Sequence, residues 1–292
     1  MIRKFLATAT VAAITIAPTF SCNMEGSQGI AAENNLWISV HNKSNGMTEE
    51  TFNTILDRVE DIYTPVLTAM NKKLVVNRDW EDGTVNAYAQ QRGKTWSINM
   101  FGGLARHVET IPDALAMVAC HELGHHLGGA PKKKSFWSSS WASNEGQSDY
   151  WGAMKCFRKY AELDNNQDLM AAVTVPATVT ERCSASFANA EDIAICQRGS
   201  MAGQSLSRLL GSLGGTASSS ITFDTPDVNV VSKTNHAHPA AQCRLDSYFA
   251  GALCPADHYA DVDDKDAALN VCSRKASDLE GLRPLCWYKP AK

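Results

Sequence analysis

The sequence lacks a surplus of positive charge: 27 lysines and arginines stand against 31 aspartates and glutamates, a formal charge of −4. Proteins that hold nucleic acid by its phosphates usually carry the opposite balance, so no nucleic-acid partner is expected. No apolar run reaches the ~20 residues that a membrane-crossing helix needs, and no transmembrane helix is expected in the mature chain. There is no Cys-x-x-Cys pair, which argues against a metal site built from cysteines. There is no internal repeat, which excludes solenoid architectures. The acidic stretch Asp261 to Asp266 resembles a calcium loop but lacks its glycine at the sixth position and its glutamate at the twelfth, and reads as a solvated turn.

What is present begins at the N-terminus. Arg3 and Lys4 precede the apolar run Phe5 to Ala17, and small residues follow up to Cys22. A basic start, a short apolar stretch and a small-residue end form the pattern of a secretory signal over residues 1–21. Cys22 can then be the lipid-bearing first residue of an exported lipoprotein, although Thr19-Phe20-Ser21 is a poor version of the usual preceding triplet; plain export is the other reading. The chain is thus expected in the periplasm or outer envelope, lipid-anchored or not, or secreted. Without Cys22, eight cysteines remain, and an even number in an exported chain implies disulfides. Sequence proximity favours Cys183 with Cys196, Cys243 with Cys254 and Cys272 with Cys286, with Cys120 meeting Cys156 across two packed helices, although eight cysteines permit 105 pairings.

Composition is otherwise that of a globular protein, 44% hydrophobic and 20% charged, and 292 residues can bury a sizeable core. Residues 22–35 are small and polar and read as a linker. Leu36 to His41 alternates like a strand. Phe52, Ile55, Leu56, Val59, Ile62, Val66 and Leu67 recur at helical spacing, with Pro65 kinking or ending that helix. Leu74 to Asn77 is a short strand, and residues 85–100 alternate on either side of Gly93 as a hairpin. Pro112 suits a helix's first turn, and Gly128-Gly129 followed by Pro131 stops that helix. A loop over 132–143 contains three consecutive lysines, which read as a solvated face. A second helix starts with Ser143 as its cap and runs to about Tyr160, and further helices are expected near 187–213, 239–253 and 264–276. The expected organisation is α+β: a domain over 36–255 with a small mixed or antiparallel sheet, and a cysteine-containing extension, 256–292, packed on it.

Within the helix after Pro112 lies His121-Glu122-Leu-Gly-His125. Residues four apart share a helix face, so His121 and His125 can reach one ion. Zinc accepts imidazole nitrogen, and a catalytic site adds a third protein ligand and an open position. Glu122 flanks that ion, where a base would take a proton from water. A third histidine six residues beyond His125 would mark the metzincin pattern, but that position is Pro131. His126 projects elsewhere on the helix, as a supporting or surface residue. Glu145 and Asp149, four apart on the next helix, suit a third ligand and a carboxylate that orients a ligating histidine.

These residues resemble the gluzincin zinc metallopeptidases. Within them, "VNAYAQQRGKTWSINMFGGL" (85–104), Glu145-x-x-x-Asp149-x-x-Gly152 and "HPAAQCR" (238–244) resemble the HtpX-like and CAAX-prenyl-protease-like family. The resemblance covers about residues 74–250 with gaps. The interval from His125 to Glu145 is short for that family and is similar to the thermolysin-type members instead, and the multi-span membrane part is missing. The resemblance implies a zincin-type fold and one zinc ion held by His121, His125 and Glu145, with Glu122 as general base. It implies an extended polypeptide substrate laid along Asn86-Ala87-Tyr88. It implies His238 as donor to the developing oxyanion, with Arg244 positioning it or binding product, though His236 is close enough to confuse that assignment and a histidine of this region can instead cap the zinc. The implied activity is endopeptidase action in the bacterial cell envelope. Two alternatives stand beside it: a zinc-stabilised binding or chaperone module without catalysis, and a thermolysin-type secreted degradative protease, for which neither a pro-segment nor calcium loops are evident.

Overall fold

Thr48 accepts a hydrogen bond from the Thr51 amide at 3.1 Å, and Glu49 and Glu50 occupy the electropositive first turn that follows. In a computed structural model of the chain, which describes residues 29–134 and 139–291, this cap opens helix α1 (Glu49–Ala69). Its buried face carries Phe52, Ile55, Leu56, Val59, Tyr63 and Leu67, the stripe that periodicity predicts. Pro65 sits inside the helix rather than at its end.

Three strands follow: β1 (Lys73–Asp79), β2 (Ala87–Arg92) and β3 (Thr95–Phe101), in the order β1-β3-β2. The predicted hairpin is β2–β3, turning at Gly93 with φ +60°. β1 lies parallel to β3, so the sheet is mixed and β2 is an edge strand. A short helix, α2 (Gly102–Ala105), leads to α3 (Pro112–Leu127), whose residues Ala114 to His126 are all buried. A helix enclosed on all sides needs no polar stripe, and α3 is the central element between the sheet, α1 and the later helices.

A second hairpin, β4 (Lys132–Lys134) and β5 (Ser139–Ser143), precedes α4 (Glu145–Trp151). The cap of α4 is Asn144, not Ser143: Asn144 Oδ1 accepts from the Gln147 amide at 2.9 Å. One π turn (Gly152–Cys156) and α5 (Phe157–Ala161) complete the predicted second helix in three pieces. The remainder holds α6 (Asn166–Ala171), α7 (Ala177–Ser186), α8 (Ala190–Leu213) and α9 (Ala241–Leu253). The chain is therefore α+β, a small mixed sheet beside a larger helical part tied by disulfides.

Several expectations are corrected. Leu36 to His41 forms no strand; its only ladder contact is a bridge from Trp37 to Thr84. Residues 264–276 are turns with a single 3₁₀ turn at Arg274–Ala276, because Asp263 and Asp266 accept from nearby backbone amides, a local pattern that competes with a helix. Residues 29–31, placed in a linker, are buried. The disulfides are Cys120–Cys156, Cys183–Cys196, Cys243–Cys286 and Cys254–Cys272. The first two match expectation. The last two cross the proximity rule because residues 272–288 fold back under α4 and α9, where Tyr150 Oη donates to Gly281 O at 2.7 Å and Arg283 Nε to Gln147 Oε1 at 2.6 Å. The proposed signal residues 1–21 and Cys22 lie outside the described residues. Among the described residues no helix is long and apolar enough to cross a membrane.

Candidate metal centre

The centre forms where α3 and α4 cross in close contact. A Cβ on Gly124 would lie 2.9 Å from Ser148 Cα and Ser148 O, so only glycine permits this approach. The Cys120–Cys156 disulfide ties α3 to the π turn that continues α4. The crossing brings His121 and His125 of α3 against Glu145 and Asp149 of α4, and all four, with Glu122, are buried.

Each imidazole is oriented through its Nδ1. His121 Nδ1–H donates to Asp149 Oδ1 at 2.7 Å. His125 Nδ1–H donates to Ser143 O at 2.8 Å, with Ser148 Oγ 3.0 Å away. These bonds hold both Nδ1 atoms as donors and turn both Nε2 atoms to one side, where His121 gives up its remaining proton to take a cation. Glu145 Oε2 lies 3.2 Å from His121 Nε2 and 3.7 Å from His125 Nε2, yet none of the three atoms has a hydrogen-bond partner. Buried polar atoms are rarely left so. Donors placed tetrahedrally at 2.0–2.1 Å from one cation stand about 3.4 Å from each other, and the two separations bracket that value. Both Glu122 oxygens are likewise buried without a partner. By mutual approach alone, His121, Glu122 and His125 also form a group whose donor atoms lie within 4.8 Å of one another. Glu145 Oε2 stands within 3.7 Å of both Nε2 atoms and so completes a set of three donors, with Glu122 beside it. The other such group, Asp227 with Cys243 and Cys286, has its two sulfurs spent in a disulfide and offers no thiolate.

Electrostatics follow from burial and neighbours. Burial pushes His125 down to about 3, which keeps it neutral, the form that binds metal. Burial pushes the Glu122 carboxyl up to about 7. Burial also opposes charge on His121, but Asp149 and Glu145 outweigh it and carry His121 to about 9. Glu145 is held well below the usual carboxylate range, against burial, by His125, Lys133 and His121. Asp149 is held down, again against burial, by Arg244 and His121.

The other predicted residues separate into two groups. Arg244 is buried and grips Asp149 with Nε at 2.8 Å and Nη2 at 2.7 Å. It positions Asp149 and, through it, His121, and its Nη1 donates to Ile30 O. His238 does border the centre: its Nε2 lies 3.6 Å from Glu145 Oε2 and donates to Gly29 O at 2.9 Å. His236 is half-buried nearby in sequence. Asn86 and Ala87 begin the outer edge of β2, and Tyr88 follows with its ring near that of Phe101.

Three participants were not foreseen. Lys133, expected in solvent, places Nζ 2.7 Å from Glu145 Oε1. Alternation along β4 turns it inward while Lys132 pairs with Asp264 at 2.7 Å. His126 is neither a surface residue nor a support for the ligands. It is stacked between Trp96 and Trp141, donates from Nε2 to Ser97 O at 3.0 Å, and is pushed down to about 4 by burial. It therefore pins the second hairpin to the sheet. The segment Gly29–Ala31 is the third. None of the three carried a signal in the sequence.

Comparison with protein-family models, with curated proteins and with solved structures finds no match to this chain.

Proposed function

We propose that this protein is an exported zinc endopeptidase with a gluzincin-type centre and a zincin-like domain. The observation that carries the reading is the convergence of three unpartnered buried donors, His121 Nε2, His125 Nε2 and Glu145 Oε2, beside an unpartnered Glu122. Two imidazole nitrogens and one carboxylate oxygen suit zinc, and three protein ligands leave one position open, as in catalytic rather than structural sites. Zinc held there would polarise a peptide carbonyl and make an attacking water more acidic.

The residues of the chain do the rest. Glu122 accepts the proton of the attacking water and passes it to the leaving amine, and burial, which raises its carboxyl, makes it the stronger base. Asp149 holds the His121 tautomer, and Arg244 holds Asp149. His238 Nε2–H already meets one peptide carbonyl in the fold, and it is the donor to the substrate carbonyl oxygen as negative charge develops. A donor of this kind contributes about 3 kcal/mol. The four disulfides fit an oxidising compartment, in keeping with action in the cell envelope or outside it.

The competing reading is a zinc-stabilised binding module. A structural site closes its fourth position and has no use for a buried carboxylate next to the metal, so Glu122 favours the enzyme. The test is Glu122→Gln with zinc analysis and a casein-cleavage assay. The variant is expected to keep zinc and to lose at least ~10²-fold in turnover; full turnover with zinc bound would remove Glu122 from its role.

A further inference from the structure

The segment Gly29-Ile30-Ala31 lies where a peptide substrate would have to lie. It runs antiparallel along the outer edge of β2: Ile30 N donates to Ala87 O at 2.9 Å, further along Asn34 Nδ2 donates to Val85 O at 3.2 Å, and Trp37 then bridges to Thr84. Asn86 holds the Ala31 backbone from both sides, Oδ1 accepting from its amide at 3.1 Å and Nδ2 donating to its carbonyl at 3.3 Å. Gly29 O takes the His238 Nε2–H, and Ile30 O takes a hydrogen bond from Arg244 Nη1. The Ile30 side chain is fully buried and Ala31 nearly so. Gly29 has φ +74°, and a Cβ there would meet Ala87 O and Asn86 Oδ1 at 2.7 Å, so this chain path requires glycine. With the segment in place the Glu122 carboxylate and the three donor atoms are shut from solvent.

Strand addition to a sheet edge is how extended peptides are commonly bound, with main-chain bonds for affinity and pockets for side chains. A segment that consumes the edge at Asn86–Ala87 and the His238 donor therefore competes with any substrate needing both. We propose that Gly29–Ala31 is a built-in occupant of the polypeptide groove: it keeps the centre closed until it is displaced, and its sequence names the substrate class. That class is an extended chain with a branched aliphatic residue flanked by small ones, the aliphatic side chain entering the pocket now filled by Ile30. The proposal rests on the peptidase reading, but its first readout does not.

Two variants loosen the segment by different means in the full-length zinc-loaded protein: Gly29→Ala adds the colliding Cβ, and Ile30→Ser removes the apolar anchor. The first readout is the rate at which a chelator strips zinc. The second is casein turnover, and the third is inhibition of the variants by acetyl-Gly-Ile-Ala-Ala-amide against the same peptide with aspartate for isoleucine. Zinc loss is expected at least fivefold faster, turnover several-fold higher, and inhibition by the isoleucine peptide alone. Unchanged or slower zinc loss in both variants overturns the proposal. Lower turnover with the segment loosened also overturns it, since the segment would then be a support for Arg244 and Asp149. Equal inhibition by the aspartate peptide overturns the assigned class. Faster zinc loss with no cleavage by any form sinks the peptidase reading while leaving the closure of the metal pocket standing.

Discussion

Asp149 shows how much one carboxylate arranges. It accepts the His121 Nδ1–H, is gripped twice by Arg244, and touches no metal donor position itself. Partners of this kind are worth about 10–100-fold in metal affinity. Asp149→Asn is expected to weaken zinc binding by about that factor, measured by competition with a chromophoric chelator, while circular dichroism stays that of the wild type. Affinity unchanged within twofold would mean that His121 is oriented by something else. The candidate ligands were legible in the sequence because their chemistry is local: two histidines a helical turn apart, and an acid pair one turn apart on the next helix. Lys133 and His126 were not. A lysine run says nothing of which side chain turns inward. A histidine adjacent to a ligand gives no sign that two tryptophans, one on β3 and one on β5, will close over it.

At the scale of elements, the centre depends on the crossing of α3 and α4, and Gly124 is its contact point. Gly124→Val would drive the helices apart against the Ser148 backbone, a clash that no rotamer relieves. Overpacking of this kind costs about 1–3 kcal/mol, so a lower melting temperature and substoichiometric zinc are both expected. Wild-type zinc content in a destabilised Gly124→Val protein would show that the ligand geometry tolerates a looser crossing. Both ends of α3 could be read to within a residue, since proline and paired glycines act through backbone geometry, and the cap of α4 was missed by one position because serine and asparagine can both cap. The sheet's hairpin was equally plain. Residues 264–276 misled because their composition permits a helix, whereas the Asp263 and Asp266 side chains satisfy the backbone locally. The N-terminal segment misled for another reason: its small polar residues read as a linker, and only the tertiary structure supplies the sheet edge that buries Ile30.

For the whole molecule, residues 254–291 act as a base under α4 and α9. Cys286 is tied to Cys243 of α9, Arg283 reaches Gln147, and a Cβ on Gly146 would strike Trp287. Replacing Cys243 and Cys286 together by serine is expected to lower stability by about 2–5 kcal/mol. For a domain of this size that is roughly 5–15 °C in melting temperature, and zinc retention should fall with it. A melting temperature unaltered in the double variant would show that the base is held by packing alone. Acid should act elsewhere. Asp164 is held below the usual aspartate range by its hydrogen bond to Arg58, with Arg198 adding to this against partial burial. Its contribution is complete above the unfolded value of about 3.9 and is lost as pH falls through the lower folded value. Asp164→Asn should therefore flatten the stability profile below about pH 4 in chemical denaturation; an unchanged acid limb would place that dependence on other carboxylates.

Whether His121, His125 and Glu145 gather one cation is read from zinc titration of the metal-stripped protein by calorimetry. One equivalent is expected in the wild type, an undiminished site in Glu122→Gln, and binding weakened at least ~10-fold in Glu145→Ala. A wild type that takes up no zinc, or a Glu145→Ala protein that binds it as tightly as the wild type, would show that these three side chains do not form a metal site.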